Sequence, residues 1–129
     1  MEDRHHTDTQ IEAIRVFVRR NMEQLGLDVR EEYLDLDPEF EPDNCFMIRG
    51  SWLAFEFYGG HSGKEDQMGL IDLVQNRWLV DQDCTDFARI EEAFADLRAR
   101  EERKQRQVSE RNETVAWVRA YVRGEADRL

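Results

Sequence analysis

The sequence predicts an α+β fold, on three observations. Apolar residues recur at helical spacing near the start, alternate with a period of two through the middle, and return to helical spacing over the last third. The predicted architecture is an N-terminal helix, a four- to five-stranded antiparallel sheet built from hairpins, and one long or two shorter C-terminal helices. At 129 residues the length suits a single core. Residues 1–8 are expected to be a flexible tail, 9–97 the α+β domain, and 98–129 a charged helical arm ending in an apolar patch.

The first helix follows from Ile11, Ile14, Val18, Met22 and Leu25, which fall on one face. Thr9 and Glu12 fit a capping box at its start. Gly26 suits a left-handed cap, with Leu27 closing the apolar contact behind it. His5 and His6 precede the helix, where any metal affinity would be incidental.

From about Val29 to Val80 the strands come as hairpins. "CFMIRGSWLAFEFY" predicts a turn at Gly50-Ser51, a Gly-X pair suited to type II′. Arg49 then opposes Trp52, and Met47 opposes Ala54. Phe46, Ile48, Leu53, Phe55 and Phe57 gather on one face as core. The other face carries Met47, Arg49, Trp52, Glu56 and Tyr58, and a helix bearing Trp117 and Tyr121 is expected to cover it. "GLIDLVQNRWLV" predicts a second hairpin turning at Gln75-Asn76, with Ile71, Leu73, Trp78 and Val80 on a shared face. A helix over Met68–Trp78 competes, with Gly69 and Asn76 against it.

The last third begins with Asp83 or Thr85 as cap, followed by Phe87, Ile90, Phe94 and Leu97 at 3-4 spacing. The same count then meets Glu101, Lys104, Val108, Arg111, Val115, Val118 and Val122. One long helix with a charged interruption fits this pattern, and so does a helical hairpin broken near Asn112. Either way "VAWVRAYV" is an apolar island beyond a charged stretch, and it needs cover.

Charge is unevenly placed. The formal net charge is −11, and residues 23–90 hold sixteen acids against five bases, which accounts for all of it. Direct binding of nucleic acid or of an anionic membrane is disfavoured, and a basic protein surface is the expected partner. Within "EYLDLDPEFEPD", Asp35, Asp37, Glu39, Glu41 and Asp43 alternate with apolar residues. In an extended chain those carboxylates stand roughly 6.6 Å apart along one side. Such a row could imitate a nucleic-acid strand to the Arg-rich groove of a nucleic-acid-binding protein. It is also how an edge strand is guarded against pairing. The glycine that an EF-hand calcium loop needs is missing.

Signals for chemistry are sparse. In "GGHSGKEDQMG", Tyr58 falls where a Walker loop needs its first glycine and Glu65 replaces the hydroxyl, so phosphate cradling is excluded. His61, with Glu56 on the preceding strand, is the candidate centre of a small enzyme or ligand site. Cys45 and Cys84 are too few for a disulfide framework or a structural zinc site. No apolar leader is seen, and the greasiest run contains Glu56, so a reduced, cytoplasmic setting is expected.

No catalytic residue, cofactor or metal ligand is assigned. The expected function is a small acidic protein-binding protein, in its sharpest form an inhibitor or immunity-type protein that occupies a basic groove through Asp35, Asp37, Glu39, Glu41 and Asp43. The first alternative is a structural or adaptor subunit. It would assemble, or form a homodimer, through Val115, Trp117, Val118, Tyr121 and Val122. The second is a small enzyme or ligand binder at His61.

Overall fold

The computed structural model describes residues 6–34, 45–60 and 64–124. The chain divides into two units, Met1–Ala95 and Asp96–Leu129. The elements run α1 (Asp8–Gln24), β1 (Arg30–Tyr33), β2 (Phe46–Arg49), β3 (Leu53–Tyr58), β4 (Gln67–Asp72), β5 (Arg77–Cys84) and α2 (Phe87–Val122). The five strands form one antiparallel sheet in the order β1-β2-β3-β4-β5, so every strand pairs with its neighbour in sequence. The expected α+β architecture is therefore present, with the sheet at five strands. The segment 68–78 is strand and turn rather than helix.

α1 forms where its apolar stripe predicts, and Ile11, Ile14, Val18 and Met22 are buried. It starts earlier than the Thr9 box, at an equivalent box built on Thr7: the Thr7 hydroxyl accepts from Gln10 N–H, and Gln10 Oε1 accepts from Thr7 N–H. The chain is anchored just ahead of that box. His6 N–H donates to Asp66 Oδ2 at 2.6 Å, and the His6 ring meets Phe57 edge-on. His6 is thus a packed residue, not part of a loose tail. At the other end Gly26 takes φ +81, donating to Glu23 O at 2.9 Å, while Leu27 N–H donates to Met22 O at 3.1 Å. That pair of bonds is the Schellman closure that Gly26 and Leu27 predict.

Both hairpins keep the expected turns in place but not their register. Arg49 pairs with Ala54 and Met47 with Glu56, two residues displaced from a two-residue turn. The connection is Gly50 to Trp52, three residues, closed by Gly50 N–H to Leu53 O at 2.9 Å. Gly50 does not have the positive φ of a type II′ turn; its missing Cβ instead makes room for the Leu27 side chain, 3.1 Å away. A two-residue slip preserves sidedness, so Phe46, Ile48, Leu53, Phe55 and Phe57 still share the buried face.

In the second hairpin Asp72 pairs with Arg77, leaving Leu73 to Asn76 as the turn. Asp72 Oδ1 accepts from Val74 and Gln75 N–H, and Asn76 takes φ 51, a geometry Asn tolerates. Register shifts around Leu70 set Val80 opposite Leu70 and Trp78 opposite Ile71. The predicted common face of Ile71, Leu73, Trp78 and Val80 therefore splits: Val80 goes to the core, Trp78 stays half-buried, and Leu73 lies in the turn.

α1 and the first turns of α2 pack together in the first unit. Phe17 meets the rings of Phe87 and Phe94 edge-on at 5.2 and 5.9 Å. The Arg15 guanidinium lies 4.2 Å from the centre of the Phe46 ring on β2. Ile90 and Phe94 are fully buried. The residue just before the helix is Asp86, one beyond the expected Thr85 and three beyond Asp83, and its Oδ1 accepts from Ala88 N–H at 3.1 Å.

Candidate functional site

α2 is helical from Phe87 to Val122, through Asn112, so of the two predicted arrangements the single long helix is the one formed. Its last 27 residues belong to the second unit. Ala99 and the run of Arg, Glu, Lys and Gln that follows are good helix formers, with opposite charges at i,i+4 spacing such as Glu102 and Arg106. The helix ends on a left-handed Gly124, which donates to Tyr121 O at 3.0 Å.

The apolar stripe of this unit lies open. Val108, Val115, Trp117, Val118, Tyr121 and Val122 are all exposed, with Trp117 at 55%, Tyr121 at 60% and Val122 at 77%. Trp117 and Tyr121, four residues apart, stack at 5.5 Å with their planes 17° apart. Within the second unit, among the described residues, no other element covers these two rings. Val115, Val118 and Val122 recur at 3-4 spacing beside them, on one side of the helix. β-Branched residues are poor helix formers in isolation. A helix that carries them on an open stripe is built to be covered.

Five acids of the first unit are in structural use. Glu31 takes Arg15 Nε at 2.8 Å and Arg19 at 3.4 Å, and Glu32 takes Arg30 at 3.0 Å. Asp72 and Asp86 shape a turn and a helix start, as above. Asp66 is 2% exposed and collects three donors: His6 N–H, His6 Nδ1 at 2.9 Å, and Gly60 N–H at 2.6 Å. No local motif foretells that cluster, because His6 and Asp66 stand 60 residues apart. Asp35, Asp37, Glu39, Glu41 and Asp43 lie outside the described residues, and so does His61.

On the sheet face away from the core, Met47, Glu56 and Tyr58 are half-buried. Tyr58 hydrogen-bonds to Glu56, and burial, then the Glu56 charge, push its pKa up to about 12. A phenol so held stays protonated and serves as a donor. Glu56 Oε2 is buried without a hydrogen-bond partner. A cleft of about 360 Å³ lies between Asp28, Val29, Arg30, Arg49, Gly50 and Ser51, with one hydroxyl, that of Ser51, and one carboxylate, that of Asp28, in its wall. Among the described residues no group of three His, Cys, Asp or Glu is placed to hold a metal ion, and no helix is long and apolar enough to cross a membrane. No protein-family model, curated protein or solved structure matches the chain.

Proposed function

We propose that this protein is a binding module that associates with another protein through the open face of its C-terminal helix. The observation that carries this reading is the exposed stripe of Val115, Trp117, Val118, Tyr121 and Val122 on a well-formed helix. Covering a side chain of this size is worth about 1.5–3 kcal/mol before the costs of association. Aromatic anchors beside aliphatic neighbours are the composition of an interface centre. The adaptor reading therefore stands ahead of the inhibitor reading, whose five carboxylates lie outside the described residues. A basic partner for residues 23–90 remains a second reading, favoured by their sixteen acids against five bases. The structural use of Glu31, Glu32, Asp66, Asp72 and Asp86 lowers the charge free for such a partner. A reduced, cytoplasmic setting fits a chain whose Cys45 and Cys84 are not joined in a disulfide.

Affinity capture from the native host tests the reading. The wild-type chain is expected to retain a defined protein, and Val118→Asp with Tyr121→Asp to release it while the thermal midpoint of the first unit is unchanged. Equal capture by both chains would remove this face from consideration.

A further inference from the structure

The charges beside the stripe select what covers it, an inference that rests on the reading above. Counted in sevens, the seam of the second unit runs Leu97, Glu101, Lys104, Val108, Arg111, Val115, Val118, Val122. The eight positions that flank it between residues 98 and 121 hold three Arg, two Gln, one Asn, one Thr and Tyr121, with no carboxylate among them. Within the seam Glu101 stands against Lys104 and Arg111. The remaining acids of the described part, Asp96, Glu102, Glu110 and Glu113, fall at positions turned from the seam. Five of the unit's eight described cations, Arg98, Arg100, Lys104, Arg111 and Arg119, lie in or beside the seam, while Arg103, Arg106 and Arg123 stand behind with most of the acids.

A second copy is a poor occupant for such a face. In a parallel pair Glu101, Lys104 and Arg111 each meet their own counterparts. In an antiparallel pair the flanks of both helices are still only basic or neutral, and like charges across a seam cost stability. The complementary surface is an apolar strip edged with carboxylates. We infer that the face of α2 between Leu97 and Val122 docks an acidic amphipathic helix of a different protein. Arg100, Arg111 and Arg119 answer its carboxylates, and Val115, Val118 and Val122 its apolar seam. Flank charges set partner choice in helix pairs, so the basic flanks decide identity while the valines and Tyr121 supply affinity.

Two labelled helical peptides of four heptads, identical in a Leu/Ile seam, test this by fluorescence anisotropy against the full chain. One carries Glu at every flanking position and the other Lys. The Glu peptide is expected to bind, more weakly as salt rises, and the Lys peptide not to bind. Arg100→Glu with Arg119→Glu should weaken the Glu peptide about tenfold and admit the Lys peptide. Both positions are solvated, so the exchange leaves the fold in place, and Val118→Ala provides a mild seam variant that weakens binding without adding charge. Equal binding of both peptides, or a homodimer indifferent to the charge exchange, would overturn the acidic partner and leave the stripe an interface. Binding to phosphatidylserine vesicles without binding to either peptide would overturn a protein occupant. A chain that binds nothing and stays monomeric would overturn the interface itself.

Discussion

Among the described residues Asp66 is the one buried charged side chain. Its two oxygens tie the start of α1 to the loop before β4, with His6 and Gly60 as donors. Charge-assisted bonds to a buried carboxylate are the strong kind, and removing it leaves buried N–H groups unmet. Asp66→Ala should cost about 3 kcal/mol in urea unfolding with little change in slope; a loss under about 1 kcal/mol would contradict this role. Tyr58 gives a pH signature. Its folded pKa of about 12 lies above the ordinary phenol value of 10.0, so its contribution is complete below pH 10 and is lost as pH rises towards 12. The wild type should therefore lose more stability than Tyr58→Phe over that interval, and a difference titration should place one phenol near 12.

Element identities were legible because each rests on local pattern: the stripe of α1, the alternation around Phe46 and Phe55, the Gly26 cap. What was not legible depends on partners distant in sequence. Gly50 reads as a turn glycine, yet what favours it is the Leu27 side chain of the α1–β1 connection, which a Cβ would approach to 3.1 Å. Gly69 reads as a helix breaker, yet a Cβ there would meet Gln82 Cα at 2.7 Å and the Trp78 ring at 3.0 Å. Backbone cannot yield as a flexible side chain can. Gly69→Ala should therefore cost about 2 kcal/mol or more, and Gly50→Ala less, since only Leu27 must shift. The reverse order in thermal unfolding would show that the β4–β5 irregularity relaxes more easily than its spacing implies. The Thr7 and Thr9 boxes are equivalent as motifs, and only the His6–Asp66 tie favours the first.

Across the whole molecule charge divides with the units. Residues 1–95 hold twenty-two acids against nine bases, and residues 96–129 hold seven against nine. The apolar residues of the candidate site were legible as an island that needs cover. Their exposure was not, because the same stripe suits a helical hairpin broken at Asn112 and folded back. A continuous α2 decides between the two. The acidic stretch stood out in sequence for its regularity, yet regular charge also guards an edge, and five acids elsewhere in the first unit hold structural contacts.

The central claim is that the face bearing Val118 and Tyr121 is open in the free chain and closes only on a partner; Trp117, stacked on Tyr121 at 5.5 Å, reports from the edge of that face. Emission from Trp117 alone, in a chain with Trp52→Phe and Trp78→Phe that keeps its far-ultraviolet circular dichroism, tests this directly. The account predicts the emission of a solvated indole in the dilute monomer and a saturable blue shift on adding the Glu-flanked peptide. A blue-shifted, quencher-resistant Trp117 in a chain that sediments as a monomer would mean that the protein covers this face itself, and the account would fail.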